Sequence, residues 1–154
     1  MNSAFLRQAI DLAVENVRRG GGPFGALIVR DGVVIATGAN MVTRAKDPTA
    51  HAEIVAIREA CRVLGDFQLS GCDLYTSCEP CPMCLGAIYW ARPARVYFAA
   101  TKEHAAAAGF DDSFIYQEIP VPHPQRSIPM QHFADEHANL PFEIWTSKTD
   151  KTEY

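Results

Sequence analysis

The spacing of apolar residues near the N-terminus predicts a helix followed by a β-hairpin. Across Phe5–Val17 apolar side chains recur every three or four positions, as on one face of an amphipathic helix, and a run of glycines ends the pattern. Two β-rich runs follow at 24–29 and 33–37, with an Asp-Gly pair at 31–32 between them. Because Asp-Gly favours the backbone conformation of a tight hairpin turn, the two runs are predicted to be antiparallel neighbours.

The next stretch of the chain predicts alternating helices and strands. Residues 51–64 have helical spacing and end at a glycine, whereas residues 74–76 and 96–100 are short runs typical of strands. Residues 81–90, between the two strands, are predicted to form a helix, and an alanine-rich helix is expected at 101–109. A strand, a helix and a strand in this order indicate parallel strands joined by a crossover. The predicted fold class is therefore α/β, with one sheet flanked by helices.

Beyond residue 110 prolines interrupt the chain repeatedly. Aromatic residues nevertheless remain frequent there: Phe114, Tyr116, Phe133, Phe142, Trp145 and Tyr154. Disordered tails are poor in aromatic residues, so we expect this segment to pack against another surface. The chain of 154 residues has the length of one ordinary domain. We expect one structural domain overall, with a catalytic core at 1–110 and a C-terminal segment at 111–154.

The composition narrows the class of function. The formal net charge of -4 offers no basic surface for a nucleic-acid backbone, whose binding depends on clustered Lys and Arg. No stretch approaches the roughly 20 apolar residues of a membrane span, and Arg7 and Gln8 stand where a secretory signal would be apolar. Five cysteines, an odd number, do not make a disulfide framework of a secreted domain. We expect a cytoplasmic protein without membrane or nucleic-acid partners.

Two short motifs place metal ligands at the starts of two predicted helices. Thr-Ala-His-Ala-Glu at 49–53 puts His51 in the first turn of one helix, and Pro-Cys-Pro-Met-Cys at 80–84 puts Cys81 and Cys84 on one face of the other. Both helix starts can meet beyond the ends of the strands, where sites in open α/β sheets lie. One histidine and two cysteines are the ligand set of a catalytic zinc ion with an open fourth position for water. We expect one Zn²⁺ per subunit.

Glu53 is the predicted proton carrier of this site. Two thiolates cancel the charge of Zn²⁺, so the bound water is acidified less than by three neutral imidazoles, and a separate base is useful. Glu53 would accept the water proton and deliver it to a departing amine, so that hydroxide attacks an amidine-like carbon and ammonia leaves. The backbone N–H groups of Ala52 and Cys81 are candidate donors to the substrate. His-x-Glu followed by Pro-Cys-x-x-Cys is the signature of zinc deaminases that act on nucleobases.

Other interpretations of these residues stay open. Cys78 is in register with Cys81 and would supply a fourth protein ligand, which would make the zinc structural and the protein a non-catalytic binding module. We prefer Cys78 as a neighbour that does not bind metal, because it lies at a strand end. Alternatively, the histidine would be a capping or core residue and the cysteines small buried apolar residues. For Glu79 two interpretations stay open: its side chain would orient one of the metal ligands, or it would simply be exposed to solvent.

These motifs resemble the cytidine deaminase-like superfamily of zinc deaminases, and more closely the small bacterial guanine deaminases. The resemblance covers nearly the whole chain. Besides the zinc motifs it rests on Gly-Pro-Phe-Gly-Ala at 22–26, Asn40, Ile-Tyr-Trp-Ala-Arg at 88–92, Gly-Phe-Asp-Asp-Ser-Phe-Ile-Tyr at 109–116 and the closing Glu-Tyr. The zinc motifs mark only the superfamily, whereas the block at 109–116 and the terminal tyrosine narrow it to guanine deaminases.

The resemblance implies a three-layer α/β/α sandwich with a central mixed sheet, and the hydrolysis of guanine to xanthine and ammonia in purine catabolism or salvage. It implies that Phe24 stacks on the purine, that Asn40 hydrogen-bonds its edge and that Trp90 lines the pocket. Asp112 would contact the amidine side, and whether it also carries a proton stays open. The resemblance further implies a homodimer with swapped C-terminal segments, in which Tyr154 closes the partner's active site.

The same zinc motifs occur in tRNA adenosine deaminases and cytosine deaminases, which are the alternative functions within the superfamily. The acidic charge argues against a tRNA substrate. So does a tail that is suited to close a small pocket, because an enzyme that acts on a polynucleotide needs an open site for the flipped base.

Overall fold

The chain folds around a four-stranded mixed sheet. The structure, a computed structural model, describes residues 2–154. The strands are β1 at Gly25–Arg30, β2 at Val33–Ala39, β3 at Cys72–Cys78 and β4 at Arg95–Ala100, in the order β2-β1-β3-β4. β1 is antiparallel to β2 and to β3, and β3 is parallel to β4. The predicted mixed sheet is therefore confirmed. The predicted parallel pair of strands, joined by the helix at 81–90, is confirmed as well.

The predicted hairpin is also confirmed. β1 and β2 pair from Gly25 opposite Ala39 to Arg30 opposite Val33. The two residues between the strands, Asp31 and Gly32, have positive φ angles of 51° and 77°. Consecutive positive φ angles characterise the tight turn that matches the twist of the flanking strands, which is why Asp-Gly predicted this connection.

Seven α-helices lie in the described part of the chain: α1 Ser3–Arg18, α2 Val42–Ala45, α3 Ala52–Leu64, α4 Pro82–Ala91, α5 Lys102–Ala107, α6 Ser113–Glu118 and α7 Leu140–Ser147. The four helices predicted from the sequence correspond to α1, α3, α4 and α5. The sequence did not predict α2 and α6, because such short helices show too few turns for a helical period to be recognised, whereas the equally short α5 is marked by its alanines. It did not predict α7, because that helix begins within the segment that prolines interrupt. Among residues 2–154, no helix has both the length and the apolar character needed to cross a membrane.

The sheet separates two layers of helices. On β1, Leu27 and Val29 belong to one buried cluster together with Ala9 of α1. Ala26 and Ile28, at the alternate positions, belong to a second buried cluster that includes residues of α3 and α4. Because successive side chains of a strand point to opposite faces, α1 covers one face of the sheet, and α3 and α4 cover the other. The three-layer α/β/α sandwich is confirmed.

A glycine in β2 lets α3 pack directly on the sheet. A Cβ atom at Gly38 would overlap the carbonyl oxygen of Ala52 and lie 2.6 Å from the backbone nitrogen of Ala56. No side chain therefore fits between β2 and the first turn of α3. This close approach fixes the start of α3, which carries His51 and Glu53, relative to the sheet.

The contacts divide the chain into two compact units, of which the first ends at Ser113 and the second is Phe114–Tyr154. The second unit contains α7 and a short 3₁₀ helix, and the Arg126 guanidinium donates hydrogen bonds to the carbonyl oxygens of Ile119 and Val121 at 2.9 and 3.0 Å. Most of its side chains are exposed. The expectation that residues 111–154 close an active site stays a prediction.

Candidate active site

His51, Cys81 and Cys84 come together where α3 and α4 begin. His51 is the N-cap residue of α3, and Cys81 is the N-cap residue of α4. Pro82 follows at the first helical position, where its missing N–H and fixed φ suit a helix start. The His51 Nδ1 atom lies 3.5 Å from the Sγ atom of Cys81 and 3.5 Å from that of Cys84. The three ligand atoms all lie within 4.8 Å of one another, so the structure brings together the three predicted ligands.

The spacing of these atoms fits a tetrahedral zinc ion. Zn–N and Zn–S bonds of about 2.0 and 2.3 Å at the tetrahedral angle place a nitrogen and a sulfur ligand about 3.5 Å apart. The two observed distances from His51 Nδ1 have this value. Three protein ligands also leave one tetrahedral position open, as in catalytic zinc sites. His51, Cys81 and Cys84 could therefore hold a zinc ion with the predicted geometry.

The charges of the three ligands are coupled. A hydrogen bond from the Cys84 thiol, followed in importance by the interaction with His51, lowers the pKa of Cys81 to about 4. The Cys84 pKa is raised, chiefly because its thiol donates to Cys81, and the same partner raises the pKa of His51. Thiolate is the form of cysteine that binds metal, so Cys81 is already in its ligand state at neutral pH. A coordinated thiol loses its proton outright, which would make Cys84 a second thiolate.

Glu53 lies beside these ligands in the first turn of α3 and is only 5% exposed. Its Oε1 atom accepts a hydrogen bond from the Thr76 hydroxyl at 3.3 Å, and its Oε2 atom accepts one from the Cys84 thiol at 3.5 Å. Burial raises the pKa of Glu53, because removal from water disfavours the charged carboxylate. The hydrogen bond from Thr76 thus holds the carboxyl group beside the ligand group, and its raised pKa suits a group that exchanges a proton.

Thr76 is a site residue that sequence reasoning missed. It lies on β3, is fully buried, and directs its hydroxyl to the Glu53 carboxylate. A threonine within a strand is unremarkable, because β-branched residues are frequent in strands. The one feature of the sequence that could have identified Thr76 is its position near the end of the strand that leads into the cysteine motif.

Phe24 and Asn40 lie next to each other where the hairpin strands begin and end. Phe24 immediately precedes β1, and Asn40 immediately follows β2. The Asn40 backbone N–H donates a hydrogen bond to the Phe24 carbonyl oxygen at 3.1 Å. The Phe24 ring meets Phe110 edge-on, with 5.1 Å between ring centroids and 88° between ring planes. The structure therefore brings together the two residues predicted to stack on the purine and to bond its edge.

The other residues predicted to line the pocket, Asp112, Trp90 and Tyr154, differ in their burial and in their position in the fold. Asp112 is half-buried, and burial, together with the negative charge of Cys81, raises the pKa of its carboxyl group. Trp90 is 64% exposed and lies about 9 Å along α4 from Cys84, given a rise of about 1.5 Å per residue. Tyr154 belongs to the second unit, where its ring contacts Trp145. The pocket roles of Trp90 and Tyr154 stay predictions.

The backbone donors proposed for the substrate lie at helix starts. Ala52 is the first residue of α3, and Cys81 caps α4. N–H groups at the first positions of a helix have no partner within the helix and can face a ligand. Their role as donors stays a prediction.

Cys78 and Glu79 have contacts of their own. The Cys78 thiol donates to the carbonyl oxygen of Thr101 at 3.6 Å, and burial raises its pKa to about 11. It lies outside the three-residue ligand group. The Glu79 carboxylate accepts a hydrogen bond from the Lys102 backbone N–H at 3.1 Å, so it caps the start of α5. Neither contact adds a fourth protein ligand to the histidine and the two cysteines.

Comparison with known proteins agrees with this geometry. Residues 1–100 match the family model for the cytidine and deoxycytidylate deaminase zinc-binding region. A guanine deaminase of Bacillus subtilis (strain 168) is 59% identical, with 99% of each chain aligned. The crystal structure of guanine deaminase from Bacillus subtilis superimposes with a TM-score of 0.98 at 58% identity, covering 100% of this chain and 99% of that chain.

Other members of the family match a smaller part of the chain. A tRNA-specific adenosine deaminase of Aquifex aeolicus (strain VF5) is 46% identical over 101 residues, which cover 65% of this chain and 67% of the relative. The zinc-ligand geometry, the sandwich fold and these similarities agree with one another. The chain belongs to the zinc-binding cytidine and deoxycytidylate deaminase family.

Proposed function

We propose that this protein is a zinc-dependent hydrolase that converts guanine and water to xanthine and ammonia. The observation that carries the proposal is the extent of similarity: the guanine deaminase matches 99% of the chain, whereas the tRNA-specific adenosine deaminase matches 65%. The zinc motifs are common to the family, but the segment beyond residue 110 is aligned over its length with the guanine deaminase. All five cysteines are free thiols, which suits a reducing compartment, and we place the activity in the cytoplasm.

The chemistry divides between the metal and Glu53. When bound by His51, Cys81 and Cys84, zinc supplies a Lewis acid that makes water a stronger acid at neutral pH. Glu53 accepts the proton of the attacking water at a carboxylate oxygen and delivers it to the amino nitrogen on C2 of guanine. The hydroxide that remains of the water bonds to C2, the bond between C2 and the amino nitrogen breaks, and ammonia leaves while C2 keeps the water oxygen as the new oxygen of xanthine. Because Glu53 is buried, its proton passes to the substrate rather than to bulk water.

Substrate binding falls to residues around the hairpin and to Asp112. Phe24 stacks on the purine ring, and Asn40 hydrogen-bonds its edge. The Asp112 carboxylate accepts hydrogen bonds from the amidine side of the base. The half-buried position of Asp112 supports this role, as does its pKa, which burial and the negative charge of Cys81 raise. We assign the wall of the pocket to Trp90 and the donors to the base to the backbone of Ala52 and Cys81.

The substrate is tested by measuring ammonia from zinc-loaded protein incubated separately with guanine, adenine, cytosine, guanosine and adenosine. We expect ammonia and xanthine from guanine and no comparable release from the other four compounds. A site built to hydrogen-bond particular groups strongly rejects analogues that leave those groups unpaired. Ammonia from adenosine or cytosine, but not from guanine, would refute the proposal.

Thr76→Val is expected to lower kcat by about tenfold to hundredfold, because it removes a hydrogen bond to a carboxylate without changing the volume of the side chain. KM for guanine and the zinc content should stay unchanged, since Thr76 contacts neither the base nor the metal. The measurement is steady-state ammonia release with zinc analysis. Thr37→Val, on the exposed side of β2, is the matched control and should be silent. An unchanged kcat in Thr76→Val would exclude the positioning of Glu53 by this hydroxyl.

We also propose that the protein is a homodimer in which the second unit, Phe114–Tyr154, closes the active site of the partner. This unit exposes many apolar side chains, including Phe133 at 87% and Tyr154 at 70%. Exposed apolar surface of this extent is characteristic of interaction sites rather than of a solvated tail. A second copy of the chain is the partner that would cover it.

Tyr154→Ala is expected to lower kcat/KM for guanine by at least about tenfold while fold and zinc content are retained, since water then reaches the open pocket. Mixing Tyr154→Ala with Glu53→Gln distinguishes a swapped segment from one that closes its own site. In a swapped heterodimer the intact tail of the Glu53→Gln protomer covers the intact site of the other, so activity returns. No gain in activity on mixing would contradict the swap, and a monomer at micromolar concentration would contradict the dimer.

A further inference from the structure

A buried amide on α1 joins the two ends of the β1–β2 hairpin. Asn16 lies near the end of α1 and is only 4% exposed. Its Nδ2 atom donates hydrogen bonds to the carbonyl oxygens of Gly22 and Asn40, both at 2.8 Å. Both N–H donors of the amide are therefore engaged. The side chain connects the segment before β1 with the segment after β2.

The glycine loop that follows α1 is shaped around this amide. The Gly21 backbone N–H donates to the Asn16 carbonyl oxygen at 2.8 Å. A Cβ atom at Gly21 would lie 2.7 Å from Cγ of Asn16, and a Cβ atom at Gly22 would lie 3.0 Å from Cγ of Asn40. These distances are shorter than ordinary van der Waals contact, so side chains larger than glycine would displace the two amides.

The hydrogen bonds continue from Asn16 to the residues that bind the base. The Gly22 carbonyl oxygen, which accepts from Asn16, also accepts from the Phe24 N–H at 2.9 Å. The Phe24 carbonyl oxygen accepts from the Asn40 N–H at 3.1 Å. The paired residues of the hairpin end at Gly25 and Ala39. Phe24 and Asn40 thus lie just beyond the ladder, and Asn16 holds the backbone on both sides.

We infer that Asn16 is a positioning residue for purine binding, an inference that rests on the proposed function. Asn16 acts through the backbone that carries Phe24 and Asn40 and contacts no substrate itself. The two hydrogen bonds of its amide go to Gly22 and Asn40 rather than to the zinc ligands or Glu53, so its effect falls on binding rather than on proton transfer. Loss of the amide takes this donor from the carbonyl oxygens of half-buried Gly22 and buried Asn40, and it frees the hairpin ends to move.

The test compares Asn16→Ala with the unmodified protein, both loaded with zinc, in steady-state guanine deamination. We expect KM for guanine to rise about tenfold, because the loss of internal hydrogen bonds has an effect of this size. The kcat should stay within about twofold of that of the unmodified protein, and the zinc content should be unchanged. Asn2→Ala, which removes the N-cap of the same helix, is the matched control. It should lower the melting temperature without changing KM. If Asn16→Ala behaves like Asn2→Ala, Asn16 is merely structural and the inference is overturned.

Two further variants keep the inference testable if Asn16→Ala does not fold. Gly21→Ala pushes a methyl group against the Asn16 amide and should also raise KM with kcat retained; an unchanged KM overturns the inference. Asn16→Ala and Asn40→Ala should be non-additive in KM, because one residue acts through the other; additive effects also overturn it. Unmodified protein that releases no ammonia from guanine would instead refute the proposed function.

Discussion

Glu53→Gln is expected to lower kcat for guanine by roughly 10²- to 10⁴-fold, the range that a general acid–base group contributes. The amide has nearly the shape of the carboxylate, so the hydrogen bond from Thr76 can persist. It cannot take a proton from water or deliver one to the leaving amine. Zinc content should be unchanged, because the ligand atoms belong to His51, Cys81 and Cys84. Ammonia release and metal analysis on the same preparation provide the measurement.

Glu59→Gln is the matched control for this prediction. Glu59 lies on the same helix, where its carboxylate forms an ion pair with Arg62. Both side chains are on the surface: that of Arg62 is 71% exposed and that of Glu59 is 42% exposed. Surface ion pairs contribute only about 0–1 kcal/mol, so this change should leave both stability and turnover close to those of the unmodified protein. Near-normal turnover in Glu53→Gln would exclude its role as the proton carrier.

The metal site could be predicted from the sequence because its determinants are local. His51 and Glu53 share one helix start, and the two cysteines share another. Each motif needs only a few neighbouring residues to define its geometry, and α/β folds place helix starts at a common edge of the sheet. The sequence therefore indicated both the ligand set and the carboxylate beside it.

The residues that support the site could not be predicted in this way. Thr76 meets Glu53 from a separate strand, and Asn16 meets Asn40 from a separate helix. Such contacts depend on which elements are neighbours in the fold and on how closely the helices approach the sheet, and the apolar pattern fixes neither. The close packing of α3 at Gly38 is another example, since a glycine within a strand does not specify which backbone approaches it. Polar contacts between residues far apart in the sequence could therefore be identified only from the structure.

Cys84→Ala is expected to weaken zinc binding more than the roughly 10- to 100-fold loss caused by removing a group that only supports a metal ligand. The substitution removes one of three ligand atoms and leaves His51 and Cys81 with a geometry that no longer encloses a tetrahedral ion. Guanine deamination should fall to background after dialysis against a chelator. Added zinc should restore the unmodified protein but not the variant. Retention of zinc by Cys84→Ala after this dialysis would contradict the ligand assignment.

Cys78→Ala separates a catalytic site with three protein ligands from a structural site with four. The Cys78 thiol is engaged by the carbonyl oxygen of Thr101 and stays largely protonated, since burial raises its pKa to about 11. We therefore expect Cys78→Ala to keep one zinc ion per subunit and its turnover of guanine. If this variant instead lost zinc as Cys84→Ala does, Cys78 would be a fourth ligand. No ligand position would then remain for water, and direct activation of water by this metal would be excluded.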